Sequence, residues 1–235
     1  TKGRLIIALG CLLLGILLFW LYKHSPRKIE FLGHYNKIGA HRVNTLEKLE
    51  SSLANFDAIE LDVVYIAESN ILDVHHPPAP SAGLTFEKYV AALGNNHPFI
   101  WLDIKNLDEH TAEMILQKLN GILSQKQYPR HKVLIETRFP EKLVLFAAAG
   151  YKTSYYLQQN LHTLKDETLS SAIQKIDATL KSQPKLGIST EHFDYEIVKE
   201  YFPKTTKYFW CIRHSKFGDY TLVRTILKDD TVALM

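Results

Sequence analysis

Two carboxylates stand two residues apart in a stretch that otherwise reads as a buried strand: Glu60 and Asp62 in "IELDV" (59–63). Strand alternation sends both to one face and leaves Leu61 and Val63 for the other. A third acid, Asp103, lies in "WLDIKN" (101–106) with Lys105 two residues further on, again on a shared face. If these strands meet, three acids converge. At about 4 Å and an effective dielectric of about 20, each like-charged pair repels by about 4 kcal/mol. Protonation or a bound cation must offset that cost. An all-oxygen donor set favours a hard divalent ion, Mg²⁺ or Ca²⁺, over zinc, which prefers His and Cys ligands. The competing reading pairs the acids with Arg42, Lys105 or Arg138 in a purely structural network.

Histidines fall close to the same elements. His41 ends one extended stretch, and "DVHH" (73–76) ends another on His75 and His76. Two imidazoles flanking carboxylates supply an acid and a base for displacing an oxygen leaving group. If Asp73 faces inward, the pleat carries His75 to the same side, and His75 is preferred. A pleat broken before Pro77 selects His76 instead. Arg138, closing "IETR" (135–138), is either a phosphate contact or a solvated loop residue, and Tyr155, Tyr156 and Trp210 suit the lining of a pocket.

These residues require a scaffold that gathers strand ends. From about residue 31 strand-like and helix-like patterns alternate, with strands centred near His41, Asp62, Asp103, Glu136, Tyr155, Ile188, Trp210 and Ala233. Alternating β and α elements imply parallel pairing with right-handed crossovers. Eight strands in about 200 residues predict a compact (β/α)8 TIM barrel, whose functional side chains collect at the C-terminal ends of the strands. A doubly wound open sheet is the alternative, but "AHRVNT" (40–45) is not the Gly-rich phosphate turn it would need. In "NTLEKLESSLANF" (44–56), Asn44 is the expected helix cap, with Glu47 in a capping-box position.

The chain of 235 residues has 46% hydrophobic content and net charge +3, values of one ordinary globular domain. So small a positive excess, without a run of five like charges, gives no reason to expect a nucleic-acid partner. Cys11 and Cys211 are too few and too far apart for a disulfide framework. "LIIALGCLLLGILLFWLY" (5–22) carries no charge and is long enough to cross a bilayer as a helix. Trp20 and Tyr22 stand at one end of it, as interfacial rings do. A cleaved signal peptide and a buried soluble helix are the alternatives, but no A-x-A site follows the run. We therefore expect a single-pass N-terminal anchor (1–24), a linker (25–30) and a barrel domain (31–235). Basic residues flank the span on both sides, so charge does not assign the side of the membrane.

"AHRVNT", "IELDV", "DVHH" and "WLDIKN", in this order, resemble the glycerophosphodiester phosphodiesterase superfamily, which shares its barrel with phosphatidylinositol-specific phospholipase C. "YFWCIR" (208–213) is similar to the family's Trp-bearing seventh strand. The His-x-Val-Asn start at His41–Asn44 and the Asp-x-Lys at Asp103–Lys105 lean toward the sphingomyelinase D/phospholipase D branch. The resemblance implies one divalent cation, Mg²⁺ or Ca²⁺, held by Glu60, Asp62 and Asp103. It implies a catalytic pair formed by His41 and His75, with His76 competing for the second place. Lys105 and Arg42 would neutralise phosphate oxygens, and Trp210 would wall the pocket. The expected activity is cleavage of glycerophosphodiesters or phospholipid headgroups, by water or by an internal hydroxyl that leaves a cyclic phosphate. A non-catalytic, membrane-tethered binding or assembly module and a carboxylate–Mg²⁺ lyase of the same fold are the other classes considered. The later strands lack the Lys or His base that such a lyase wants.

Overall fold

The computed structural model describes residues 2–211 and 217–235. Its framework is an eight-stranded curled sheet in the spatial order β2-β1-β3-β4-β5-β6-β7-β8. The strands are β1 (Ala58–Ile66), β2 (Ile71–Val74), β3 (Phe99–Ile104), β4 (Val133–Thr137), β5 (Lys152–Tyr156), β6 (Gly187–Glu191), β7 (Lys207–Trp210) and β8 (Val232–Leu234). β1 and β2 pair antiparallel, and every other neighbouring pair is parallel. Helices α1 (Lys2–His24), α2 (Leu46–Leu53), α3 (Phe86–Ala92), α4 (Ala112–Gln125), α5 (Leu143–Ala148), α6 (Asp166–Ser182), α7 (Tyr195–Tyr201) and α8 (Phe217–Lys228) complete the mixed α/β, TIM-barrel-like fold.

The strand expected at His41 is not a full strand; Ala40 makes a single parallel bridge to Ile59. The short segment 37–40 nevertheless bonds on both sides. Ala40 N donates to Ala58 O (2.9 Å) and Glu60 N to Ala40 O (2.8 Å) on the β1 side. Toward β8, Gly39 N donates to Met235 O (2.9 Å) and Met235 N to Lys37 O (2.7 Å). The eighth assigned strand is instead β2, an antiparallel flap that returns beside β1 and carries the His-bearing segment. A two-strand turn back along β1 needs no helical crossover, which is why the β–α alternation did not signal it.

Alternation holds where the acids lie. Leu61, Val63, Leu102 and Ile104 face outward and are buried in one large core with Ile115 and Leu119 of α4. Ala58, Trp101, Leu134, Tyr208, Trp210 and Leu234 form a separate cluster. Gly187 is required by that packing: a Cβ there would come within 2.8 Å of the Tyr208 ring. At the start of α2 the cap is Thr45, whose side chain accepts from Lys48 N (3.2 Å), and not Asn44. Asn44 is used elsewhere.

α1 is exposed along its described length, and Ile6–His24 has a mean hydropathy of 2.2. By length and composition it could be a membrane span or a signal sequence.

Candidate active site

The strand register builds the acid cluster directly. Asp62 on β1 pairs in register with Asp103 on β3, and Asp103 with Glu136 on β4. Glu60 lies one inward position deeper on β1. Glu60, Asp62 and Asp103 each offer an oxygen, all within 4.8 Å of one another. Lys105 bridges two of them, its Nζ 2.6 Å from Asp62 Oδ1 and bonded also to Asp103 Oδ2.

The loop after residue 40 fixes the other side. Arg42 adopts a left-handed backbone (φ 54°), uncommon without glycine. In that turn Arg42 N donates to Glu60 Oε2 (2.6 Å), and His41 Nε2 lies 3.5 Å from the same oxygen. Asn44 holds Asp62 at both ends, donating to Oδ2 (2.7 Å) and accepting from the Asp62 backbone N–H (2.9 Å). Lys48, one turn into α2, ties down the carbonyls of His41 (2.6 Å) and Arg42 (2.9 Å).

Burial and like charge set the proton affinities. Burial, then the Asp62 charge, pushes Glu60 up to about 8. Burial also raises Asp103, against the pull of Lys105, and raises Glu136 well above the usual range with Asp103 adding to the effect. Asp62 goes the other way: burial opposes its charge, but hydrogen bonds from Lys105 and Asn44 prevail and lower it. Burial, aided by the Arg42 guanidinium, brings His41 down to about 4. Three crowded carboxyls with one ammonium among them are short of positive charge. A hard divalent ion fits this donor set, because it adds charge where Glu60 is otherwise driven to hold a proton.

His41, Arg42, Lys105 and the four acids line one cavity of about 340 Å³, together with His76, Trp101, Tyr156 and Trp210. The expectation that His75 and Asp73 face this site is not met. Neither residue lines the cavity: the extended chain keeps Asp73 and His75 on one face, with His75 Nδ1 2.5 Å from Asp73 Oδ2. Asp73 also accepts from Ser81 Oγ (2.9 Å). His76 enters the cavity instead, with Nε2 3.1 Å from an Arg42 guanidinium nitrogen and 4.0 Å from Asp62 Oδ1. Guanidinium only donates, so Nε2 accepts and the proton of a neutral His76 sits on Nδ1. Trp210 is a wall, its ring 4.7 Å from that of Tyr156 in an edge-on contact. Arg138 does not line the cavity; it is exposed, with its guanidinium carbon 4.4 Å from the centre of the Tyr156 ring.

Sequence reasoning missed Asn44 as an anchor, Trp101 and Glu136. Trp101 and Glu136 were accessible: Trp101 is two residues before Asp103, and Glu136 two before Arg138, so alternation gives each its inward face. Asn44 was not, since its role depends on a loop.

No protein-family model and no curated protein sequence matches the chain. Solved structures do. A phosphodiesterase from Oleispira antarctica, solved in complex with the product sn-glycerol-3-phosphate, superposes with a TM-score of 0.57 over 85% of this chain and 91% of that one, at 14% identity. A glycerophosphodiester phosphodiesterase from Parabacteroides distasonis gives 0.57 over 80% and 89%, also at 14% identity. The chain has the glycerophosphodiester phosphodiesterase fold. Within that fold Asp103, Lys105 and Glu136 lie at the C-terminal ends of β3 and β4, where barrels place their chemistry, and Asp62 stands in register with Asp103.

Proposed function

We propose that the chain is a membrane-anchored, divalent-metal-dependent phosphodiesterase acting on glycerophosphodiesters or phospholipid headgroups. Residues 1–24 serve as the anchor, 25–30 as linker and 31–235 as the catalytic domain. One observation carries the reading: Glu60, Asp62 and Asp103 meet within 4.8 Å in a cavity that also holds His41, His76 and Lys105. A structural ion network would not need two imidazoles at an open mouth.

Glu60, Asp62 and Asp103 would hold the cation, Mg²⁺ or Ca²⁺, which when bound supplies positive charge beside phosphate oxygens. Lys105 and Arg42 add fixed positive charge on the same side, so charge developing on phosphorus-bound oxygens meets oriented donors. Of His41 and His76, one attacks or removes a proton from the attacking hydroxyl, and the other protonates the departing alcohol. Asn44 and Lys48 keep the acids and the His41 loop in place. Trp210 and Tyr156 close one wall against water.

The test uses the full chain in lipid nanodiscs, offered bis-p-nitrophenyl phosphate, glycerophosphocholine and lysophosphatidylcholine with Mg²⁺ or Ca²⁺. Alcohol release should stop with chelator and in His41→Ala. Release that persists in both conditions would contradict the proposal.

A further inference from the structure

Cations gather where α1 hands over to the domain. Residues 23–37 carry Lys23, Arg27, Lys28 and Lys37 against one acid, Glu30, which is buried. α8 adds Arg224 and Lys228, which follow Tyr220 at four-residue steps and so share a helix face with it. Three of these cations spend their hydrogen bonds on carbonyls. Lys28 Nζ donates to Tyr22 O (3.1 Å), and Lys37 Nζ to Leu227 O (3.1 Å) and Asp229 O (2.8 Å). Arg224 donates to the carbonyls of Glu30 (3.2 Å) and Leu32 (2.5 Å). A carbonyl satisfies the donor but carries no opposite charge. Among the described residues, no carboxylate forms an ion pair with any of the six. His34 registers the excess: burial, then Arg224, Lys37 and Lys228, hold its imidazole below the ordinary value.

Large apolar side chains lie among these charges. Phe31 packs with Ile38, Val223 and Leu227, while Ile29 and Leu32 on either side of it are 61% and 62% exposed. Tyr35 and Tyr220 are exposed as well. The Arg27 guanidinium lies 5.8 Å from the centre of the Tyr35 ring, and Tyr35 OH donates to Lys28 O (3.4 Å). Scattered exposed aliphatics are ordinary on a soluble surface. Aliphatics and tyrosines interleaved with cations, directly after a long apolar helix, match the composition of a bilayer interface.

Resting on the reading of α1 as a membrane anchor, we infer that residues 27–37 and the Tyr220–Arg224–Lys228 face of α8 form a second membrane contact, lying on anionic headgroups of the bilayer that α1 enters. The cations meet the headgroups, and Ile29 and Leu32 reach the boundary with the acyl chains. Continuity selects a bilayer as the occupant. Ile29 comes five residues after α1 ends at His24, at most about 18 Å of fully extended chain, so this surface stays beside the membrane. Each Lys or Arg at an anionic surface favours contact by about fivefold. The domain is then held at two places and does not swing freely about its linker. Pro26 of that linker lines the candidate active-site cavity, so the contact also fixes one edge of the cavity relative to the bilayer.

The test uses the full chain with Cys11→Ser and Cys211→Ser, carrying one nitrobenzoxadiazole label through Leu32→Cys, through Lys175→Cys on the exposed side of α6, or through Leu13→Cys in α1. Each is placed in nanodiscs of phosphatidylcholine, with or without phosphatidylserine. Headgroup-nitroxide lipid should quench the label at 32 about threefold more in the anionic discs, and salt at about 1 M should remove the difference. Arg27→Glu combined with Lys228→Glu, both at exposed positions, should return quenching at 32 to its neutral-disc value, and the label at 175 should not respond to lipid charge. Quenching at 32 that ignores lipid charge, or survives the double reversal, overturns the inference. The label at 13, read with acyl-chain nitroxides, reports the anchor separately. If 13 is quenched and 32 stays in water, the surface belongs to a protein partner and the inference falls. If 13 is not quenched, the anchor reading fails; salt-sensitive quenching at 32 would still support the contact, and its absence would overturn it.

Discussion

Lys207, at the N-terminal start of β7, is fully buried, yet its ammonium donates to Thr205 O (3.0 Å) and Thr231 Oγ1 (2.8 Å). Thr231 in turn donates its hydroxyl (2.7 Å) and backbone N–H (2.9 Å) to Asp229 Oδ1, and Tyr195 OH serves Oδ2 (3.1 Å). At the opposite end of the strands, Glu136 Oε2 and Trp101 Nε1 are buried with no partner among the described residues. There, acids face acids. The first cluster is closed: every charge is answered, as stability alone requires. The second is left open toward a cavity and short of positive charge, the pattern of a site that waits for a ligand.

Substitutions test that contrast most sharply in the mouth. His41→Ala and His76→Ala should each lower diester cleavage by about 10²–10⁴. His75→Ala, one residue away but outside the cavity, should stay within about threefold of wild type. Equal losses at 75 and 76 would erase the boundary drawn here. Next comes metal binding read without activity. Mg²⁺ or Ca²⁺ at about a hundred times its Kd should add about 2.7 kcal/mol to the unfolding free energy of wild type. Asp62→Asn should abolish that gain.

The two ends should also respond to pH with opposite sign. Glu60, with its affinity raised to about 8, and Asp103 and Glu136, also raised, hold protons that the unfolded chain releases. In chelator, stability should therefore fall as pH rises from the ordinary carboxylate range toward 8, by about 1.4 kcal/mol per pH unit for each extra proton held. Added divalent ion should flatten this slope; a slope equally steep with the ion would mean that it binds elsewhere. Asp229 is shifted the other way. Burial opposes its charge, but the bonds from Thr231 and Tyr195 outweigh burial and lower its pKa from 3.8. Its contribution is present at neutral pH and lost as pH falls through that lowered value. Asp229→Asn should cost about 1 kcal/mol at pH 7, with the difference from wild type shrinking below about pH 4, as followed by urea unfolding.

Period-2 and period-3.6 patterns made most of the scaffold legible, because parallel strands and their covering helices leave strong hydrophobic signals. Where structure departed from pattern, a short irregular segment was responsible. Residues 37–40 close the sheet with too few bonds to count as a strand, and β2 turns back after four residues. The histidines were decided by a break in the same region: alternation keeps His75 beside Asp73, and the chain departs from it after His75 and brings His76 to the mouth. Asn44 reads as a helix cap in sequence, since its bond to Asp62 crosses eighteen positions of chain.

The chain alone determined that Glu60, Asp62, Asp103 and Lys105 share inward faces, because strand alternation is a property of the backbone and needs no partner. It also determined that residues 5–22 are apolar enough to span a bilayer. Tertiary structure decided which acids stand in one row, which imidazole joins them, and that the cavity reaches the linker. Those outcomes depend on register between distant strands and on loops bonded across the fold, and neither quantity is encoded within a single local window.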